Sequence, residues 1–199
     1  MELPYDAVIF DLDGTLTESE PGIVKSVQYA LERLGRRGDP SLLRSFIGPP
    51  LLESFMQTVG MDEEEALTGV EFYRERFREV GWRENAVYEG IPAMLRTLKA
   101  RGVYLAVATA KPAPLAERIL AYFGLNKYFD LVAAPDLSDH HSDKAVLVRR
   151  ALPDRFHRAC MVGDRRYDIC GALANRIGAV GALYGYGGYD ELSAAGATF

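Results

Sequence analysis

Short apolar runs separated by helical segments constrain the fold of this chain more than any other feature. The first run is VIF at residues 8–10, and four later runs read VYLAVAT, FDLVAA, ACMVGD and AVGALYGYG. Continuous apolar runs that do not alternate with polar residues are typical of strands buried on both faces. Strands that alternate with helices form parallel sheets with helices on both faces. The pattern therefore predicts an α/β fold with a parallel sheet flanked by helices.

A stretch with helical signals and no strand signal follows the first run. It extends from Glu20 to about Trp82. Pro21 occupies a first-turn position, Gly35 is placed to end that helix, and Asp62 followed by three glutamates begins a longer helix. The chain is therefore expected to carry a helical unit between its first strand and the alternating segments.

Composition and charge exclude several classes of partner. The chain has 199 residues, of which 48% are hydrophobic and 26% charged, as is typical of a folded globular domain. A net charge of −5 offers no basic surface for nucleic acid or for an anionic membrane, and no apolar run approaches the length of a membrane span. We expect a cytoplasmic monomer or weak homodimer that binds neither nucleic acid nor a membrane.

Polar residues follow three of the predicted strands directly. Asp11 and Asp13 follow VIF, Thr109 ends VYLAVAT, and Asp164 ends ACMVGD, while Lys144 opens a predicted helix. In open α/β sheets the carboxyl ends of the strands form the ligand-binding edge. Carboxylates this close together repel each other unless a positive group lies between them. The sequence therefore predicts a site at this edge that includes a cation, a proton or a lysine.

The residue types at this edge suit phosphoryl transfer. Several carboxylates without histidine or cysteine form a hard-oxygen site, which favours Mg²⁺ over zinc. An aspartate can attack phosphorus and form an aspartyl-phosphate, a role we assign to Asp11, and Asp13 then serves as general acid and base. Thr109, Lys144 and the amides of the 12–14 turn are available to stabilise the transferring group.

Four segments resemble, in the usual order, the four motifs of the haloacid dehalogenase superfamily: DLDGTLT, VATAKP, SDKAVLV and MVGDRRYDI. The segments FIGPPLLESF, YRERFREVG, VYEGIP and LYGYGGYDELSAAGA further resemble its phosphoglycolate phosphatase-like and nucleotidase-like branch. The resemblance implies a Rossmann-like core formed by residues 1–17 and 84–199, with an inserted all-helical cap at residues 18–83.

The resemblance implies the same residue roles. Asp11 is the expected nucleophile and Asp13 the acid and base, while Thr109 holds the phosphoryl group and Lys144 neutralises it and orients Asp11. The implied magnesium ligands are Asp11, the backbone carbonyl of Asp13, Asp164, and Asp168 directly or through water.

Substrate contacts are expected from the loops around these motifs. We assign them to Gly14 and Thr15 after the first motif, Ala110 in the second motif, and Gly48 in the turn at residues 48–51. The segment after the first motif and the cap add the further candidates Glu18, Ser19 and Lys25.

Other conspicuous residues have a simpler expected role. We interpret Lys111 as a surface cation at a helix start with at most an outer role near the phosphate. Arg74 is expected on a solvated helix face, with binding of a second anionic group as the alternative. Cys160 and Cys170 are interpreted as buried core thiols. His140 and His141 are expected to be solvated in a polar loop, with contact to the substrate as the alternative.

The function predicted from the sequence is a magnesium-dependent phosphatase. It would hydrolyse a small phosphomonoester through an aspartyl-phosphate, and phosphoglycolate, a nucleoside 5'-monophosphate and a sugar phosphate remain open as substrates. Two alternatives also remain: a phosphomutase of the same superfamily, and a binding or regulatory module without turnover.

Overall fold

The computed structural model describes residues 4–139 and 142–198, with the backbone alone for residues 40 and 41. His140 and His141 lie outside the described residues. Seven strands and nine helices are present in the described part of the chain. The strands are β1 (Ala7–Phe10), β2 (Thr17–Glu18), β3 (Ala86–Val87), β4 (Tyr104–Ala108), β5 (Leu131–Ala133), β6 (Ala159–Gly163) and β7 (Gly178–Gly181).

The helices divide between a segment inserted after the first strands and the remainder of the chain. The inserted helices are α1 (Glu20–Arg33), α2 (Pro40–Leu43), α3 (Leu51–Val59) and α4 (Glu63–Glu79), and together we call them the helical cap. The others are α5 (Ile91–Ala100), α6 (Ala113–Tyr122), α7 (Lys144–Ala151), α8 (Arg166–Ala174) and α9 (Tyr189–Ala194).

Five of the strands form one parallel sheet, in the order β5-β4-β1-β6-β7. β1 is central because β4 and β5 are added on one side of it and β6 and β7 on the other. Alternate residues of a strand point to opposite faces, and both faces of β1 are buried. Val8 and Phe10 belong to the apolar cluster shared with α5, α6 and the cap, whereas Ala7 and Ile9 pack against α7, α8 and α9. The predicted α/β fold class is thus confirmed.

The helical cap begins and ends beside a small two-stranded ladder. Thr17 of β2 pairs with Val87 of β3, and Glu18 pairs with Ala86, in antiparallel register. Pro21 occupies the first turn of α1, and the Asp62 side chain accepts a hydrogen bond from the Glu65 amide at 2.9 Å, which caps α4. The ladder joins the two connections between sheet and cap. The boundaries at residues 17–18 and 83–84 stay a prediction.

The prediction that all of AVGALYGYG forms a strand is wrong for the second half of that segment. β7 covers only Gly178–Gly181, and residues 182–188 form a loop. The amide of Tyr186 donates to Asp164 Oδ2 at 2.8 Å instead of joining a strand ladder. The glycines of this segment allow the loop to lie against that carboxylate. No helix within the described residues is both long and apolar enough to cross a membrane.

Candidate active site

Three polar residues lie at the carboxyl edge of the parallel sheet, as their positions predicted. Asp11 follows β1, Thr109 follows β4 and Asp164 follows β6. Their backbones continue the strand pairing, since the Asp11 amide donates to Val162 O at 2.9 Å and the Thr109 amide donates to Ala133 O at 3.1 Å. All three side chains are buried. The parallel sheet therefore holds them in fixed positions at one edge.

Lys144, the first residue of α7, joins the charged groups at this edge. Its ammonium lies 2.8 Å from Asp11 Oδ1 and 2.7 Å from Asp168 Oδ1, and it donates to the Ala108 carbonyl oxygen at 3.0 Å. Burial by itself lowers the pKa of a lysine, but the two carboxylates raise the pKa of Lys144 above its ordinary value. Lys144 therefore stays protonated and fixes one oxygen of Asp11.

Three buried carboxylates form the acidic part of the site. One oxygen each from Asp11, Asp164 and Asp168 can be chosen so that all three lie within 4.8 Å of one another. Burial raises the pKa of Asp11 to about 7, and burial together with the charges of Asp11 and Asp168 raises the pKa of Asp164 to about 8. When all three carboxylates are ionised, they carry more negative charge than Lys144 alone compensates.

This donor set fits Mg²⁺. All the side-chain donors are carboxylate oxygens, which Mg²⁺ prefers over softer ligands. Asp164 is oriented by its neighbours, because Oδ1 accepts from the Thr15 hydroxyl at 3.2 Å and Oδ2 from the Tyr186 amide. Asp168 Oδ2 accepts from the Arg165 amide at 3.0 Å. Residues that hold the carboxylates in this way are a feature of metal sites.

Asp13 does not belong to the carboxylate cluster, because its side chain has a different partner. Its Oδ2 lies 3.1 Å from the ammonium of Lys111. Its Oδ1 is buried and makes no hydrogen bond within the described residues. The predicted metal contact of Asp13 involves its backbone carbonyl and stays a prediction.

The interpretation of Lys111 as a surface cation is wrong. Its side chain is 6% exposed, and its ammonium lies 4.4 Å from the centre of the Phe77 ring in α4. A hydrogen bond of 3.2 Å from the Lys111 amide to Thr109 Oγ1 forms a turn after β4. The turn places the Lys111 side chain against the cap. The one signal in the sequence was the position of this lysine, two residues after Thr109.

A cavity lies between this edge of the sheet and the helical cap. The sheet edge contributes Asp11, Asp13, Thr109, Ala110 and Lys111, and α6 and the residues before it contribute Pro112 and Leu115. The cap contributes mainly apolar side chains and one guanidinium: Ile23, Phe46, Gly48, Pro49, Pro50, Leu51, Tyr73, Arg74 and Phe77. A ligand in this cavity contacts the charged groups at one end and an apolar wall at the other.

The predicted substrate contacts divide into two groups. Ala110 and Gly48 line the cavity. Gly14 and Thr15 instead lie against Asp164, because the Thr15 hydroxyl donates to that carboxylate, and a Cβ on Gly14, whose φ is +88°, would lie 2.2 Å from Asp164 Oδ2. Their observed contacts are with a predicted metal ligand.

Arg74 is not part of a solvated helix face, and that interpretation is wrong. The residue is 9% exposed and lines the cavity. Its guanidinium donates to the Leu137 carbonyl oxygen at 2.7 Å and lies 3.4 Å from Glu71 Oε1. Because Leu137 follows β5, this contact joins the cap to the sheet domain.

Lys25 and Ser19 stay predicted substrate contacts, and the two cysteines differ in their burial. Lys25 forms an ion pair with Glu84 at 2.9 Å, and Ser19 is buried. Cys160 is buried as predicted, but Cys170 is exposed, so its assignment to the core is wrong. Cys170 lies on α8, where helix periodicity places it on the outer side while Ile169 and Gly171 are buried.

The loop after β7 contributes site residues that sequence reasoning missed. A Cβ on Gly185 would lie 2.3 Å from Asp164 Cβ and 2.4 Å from the Gly14 carbonyl oxygen, and a Cβ on Gly187 would lie 2.0 Å from the Asp164 carbonyl oxygen. Only glycine permits this close approach. The Tyr186 hydroxyl accepts from the Glu20 amide at 2.9 Å, which ties the loop to the start of α1. The signal was the spacing of glycines in LYGYGG.

The parallel sheet presents paired aspartates, a lysine and a carboxylate cluster at one edge, beneath a helical cap, and, together with the family and relatives that follow, this arrangement supports a phosphoric monoester hydrolase. Residues 8–182 match the family described as haloacid dehalogenase-like hydrolase, and the chain belongs to that family. The family resemblance predicted from the four motifs is confirmed.

Individual relatives cover nearly the whole chain. A 5'-nucleotidase from Pseudomonas aeruginosa is 44% identical over 96% of this chain and 89% of its own length. The tyrosine-protein kinase PtkA from Mycobacterium tuberculosis is 39% identical over 96% of this chain, which spans 66% of that protein. A crystal structure from Clostridium acetobutylicum, described as a predicted phosphatase, superposes with a TM-score of 0.91 at 43% identity, covering 98% of this chain and 92% of the other.

Proposed function

We propose that this protein is a magnesium-dependent phosphatase that hydrolyses a small-metabolite phosphomonoester through an aspartyl-phosphate. The observation that carries the proposal is the pairing of two aspartates with two different lysines. Lys144 holds Asp11 from the side of the carboxylate cluster, and Lys111 holds Asp13 from the side of the cap. One strand end thus presents two carboxylates in different environments, as a nucleophile and a proton carrier require.

In the first half of the reaction, the carboxylate of Asp11 attacks phosphorus, and the bond between phosphorus and the leaving oxygen breaks. Asp13 supplies the proton that the leaving oxygen takes up, so the product leaves as a neutral alcohol. Lys144 remains beside Asp11 and stabilises charge on the transferring group. Thr109 lines the same cavity and offers its hydroxyl to a phosphoryl oxygen.

In the second half, a water molecule attacks the phosphorus of the aspartyl-phosphate. Asp13, which has lost its proton, takes one from the water, and the bond between phosphorus and Asp11 breaks. Inorganic phosphate leaves, and both aspartates return to their starting states. Asp13 therefore acts once as an acid and once as a base.

Asp11, Asp164, Asp168 and the backbone carbonyl of Asp13 are the residues that would hold Mg²⁺. When bound, Mg²⁺ supplies positive charge that offsets the phosphoryl oxygens. The four aspartates of the site face two lysine ammonium groups in the described part of the chain, so full ionisation leaves two negative charges that one divalent cation balances.

The cavity favours small substrates. Its roof is the helical cap, and Arg74 and Arg165 tie that cap to the sheet domain through the carbonyl oxygens of Leu137 and Ile47. A closed cap excludes bulk water during the first step. Phosphoglycolate, a nucleoside 5'-monophosphate and a sugar phosphate are the candidate substrates, and the phosphatase class is supported by the relatives described above.

The test is phosphate release by purified protein with Mg²⁺ across a panel of phosphorylated metabolites and 4-nitrophenyl phosphate. We expect steady release from at least one monoester and none from Asp11→Asn, which keeps the shape of the side chain but removes the nucleophilic charge. Asp154→Asn, at an exposed position, is the matched control and should retain full activity. Release that persists in Asp11→Asn would overturn the mechanism.

The same assay separates the alternatives. A phosphomutase returns the phosphoryl group to another hydroxyl of the product, so it would form an isomer without releasing phosphate. A binding or regulatory module would neither release phosphate nor form an isomer. For Asp13→Ala, steady turnover should fall by roughly 10²–10⁴-fold, the usual contribution of general acid and base catalysis.

A further inference from the structure

Lys111 is a buried lysine that pairs with Asp13 but takes part in no step of the proposed mechanism. Its ammonium contacts Asp13 Oδ2 at 3.1 Å and the face of the Phe77 ring at 4.4 Å. The side chains of Lys111 and Asp13 are 6% and 10% exposed. A lysine loses considerable side-chain entropy when it is buried and fixed, so a compensating interaction is expected. The observed compensation comes from one carboxylate and one aromatic ring.

The two oxygens of Asp13 therefore differ in their surroundings. Oδ2 is bound to Lys111, whereas Oδ1 is buried and makes no hydrogen bond within the described residues. A buried carboxylate oxygen without a partner is costly unless a ligand satisfies it. Asp13 lines the same cavity as Asp11 and Thr109. Oδ1 is thus the oxygen left for the leaving group or for water.

Phe77 connects this pair to the helical cap. It lies on α4 and stacks on Tyr73 with ring centres 5.3 Å apart and an angle of 12° between the rings. A cation over the face of an aromatic ring is attracted to it weakly in water and more strongly when both groups are removed from water. Phe77 is 1% exposed, so the contact belongs to the second case. The ammonium of Lys111 is held from the cap on one side while it holds Asp13 on the other.

We propose that Lys111 is a positioning residue that fixes Asp13 with Oδ1 toward the leaving-group oxygen, and that Phe77 of the cap keeps Lys111 in place. The inference rests on the proposed function, because it concerns the general acid of that reaction. Two other roles are distinguishable by experiment: Lys111 contacting the substrate phosphate directly, and Lys111 serving only the stability of the fold.

The leaving group provides the readout. A 4-nitrophenolate departs without protonation, whereas an alkoxide needs a proton from a well-placed acid. The value of kcat/KM reports events up to departure of the leaving group and not the later hydrolysis of the aspartyl-phosphate. We therefore compare kcat/KM for 4-nitrophenyl phosphate and for the best alkyl monoester of the panel, in wild type and in Lys111→Met.

Lys111→Met should lower kcat/KM for the alkyl monoester by about 10²-fold, the cost of misplacing a catalytic group by roughly 1 Å. For 4-nitrophenyl phosphate the loss should stay within about threefold. The variant should also release a burst of about one 4-nitrophenolate per enzyme, because hydrolysis of the aspartyl-phosphate still needs Asp13 as the base. Lys99→Met is the matched control, since Lys99 pairs with Asp130 outside the cavity. It should leave kcat/KM unchanged for both substrates.

A double-mutant cycle tests whether Lys111 acts through Asp13. If it does, Asp13→Ala with Lys111→Met should lose no more than Asp13→Ala alone, within about threefold on the alkyl monoester. Additive losses, or equal losses on both substrates, would overturn the proposal and assign Lys111 to the phosphoryl group or to the fold. Unchanged kcat/KM on both substrates would overturn it as well.

Phe77→Leu keeps the proposal testable if Lys111→Met fails to fold. It removes the ring face but keeps most of the apolar volume, and the ratio of alkyl to aryl kcat/KM should fall by about tenfold. An unchanged ratio would overturn the role of Phe77. A wild-type protein that hydrolyses neither substrate would instead contradict the proposed function, so the two failures remain distinct.

Discussion

Lys144→Met removes the ammonium that lies between two buried carboxylates, and its cost follows from the structure. The lysine contacts Asp11 at 2.8 Å and Asp168 at 2.7 Å, and its side chain is 10% exposed. Removing one partner of a buried ion pair typically costs about 3–5 kcal/mol, because the remaining charge is left uncompensated. The lower end applies here, since Asp11 can take up a proton, with its pKa already raised to about 7 by burial.

A loss of about 3 kcal/mol should lower the Tm by about 6–12 °C for a domain of this size. Thermal unfolding followed by circular dichroism in EDTA at pH 8 measures it without compensation by a metal ion. Lys99→Met is the control, because Lys99 and Asp130 are each 36% exposed and such a pair contributes at most about 1 kcal/mol. A Tm of Lys144→Met within 2 °C of the control would refute the reasoning.

The pH dependence of this loss has a definite sign. The pKa of Lys144 is raised above its ordinary 10.5, so its stabilising effect in the wild type is fully present below that value. Lys144 lowers the pKa of Asp11 in the wild type, so its removal raises that pKa further, and ionisation of Asp11 with rising pH destabilises the variant more than the wild type. The difference in Tm between wild type and variant should therefore be smaller at pH 5 than at pH 8.

Three further outcomes are expected. EDTA should abolish phosphate release and Mg²⁺ should restore it, whereas Ca²⁺ should inhibit because its higher, looser coordination misplaces the nucleophile; equal turnover in Ca²⁺ would contradict a magnesium site. Gly185→Ala should weaken Mg²⁺ binding measured by calorimetry, since its Cβ would lie 2.3 Å from Asp164 Cβ, while Gly188→Ala, where a Cβ meets no atom within 4 Å, should not. Glu84→Gln should lower the free energy of unfolding at pH 7 by about 1 kcal/mol, measured by urea unfolding, because two cations pair with that carboxylate. Hydrogen bonds from these cations lower the pKa of Glu84 from 4.5, so the difference from wild type should shrink as the pH falls below that value, and a constant difference would contradict this explanation.

The residues at the sheet edge were predictable because their positions depend on local sequence. Each follows a short apolar run, and parallel strands bring their carboxyl ends to one edge whatever the order of the strands. Asp11, Thr109 and Asp164 therefore come together once the runs are recognised as strands. Lys144 begins a helix and does not follow a strand, so its position required the further inference that the start of α7 lies at the same edge.

The charged residues between the cap and the sheet were not predictable in the same way. Lys111 and Arg74 carry charged side chains, and such residues are usually exposed. Their burial depends on contacts with segments far away in the chain, namely Phe77 for Lys111 and Leu137 for Arg74. No local pattern states how a helical cap will lie on a sheet.

The glycine loop after β7 shows how a local pattern can mislead. AVGALYGYG contains apolar and aromatic residues typical of a strand, and glycine in a strand often marks a close backbone approach. Here the strand ends at Gly181, and a Cβ on Gly185 or Gly187 in the loop after it would collide with Asp164. The requirement for glycine comes from a carboxylate about twenty residues earlier in the chain, which strand propensity does not take into account.

The charge balance of the site links its stability to its proposed chemistry. Four ionised aspartates and two lysines leave an excess of negative charge, and the charges of neighbouring carboxylates add to the effect of burial in raising the pKa values of Asp11 and Asp164. A phosphate monoester brings further negative charge into this region. A bound cation should therefore matter more for binding of a phosphate monoester than for folding of the protein. Metal affinity and substrate affinity should consequently rise together, because each lowers the electrostatic cost of the other.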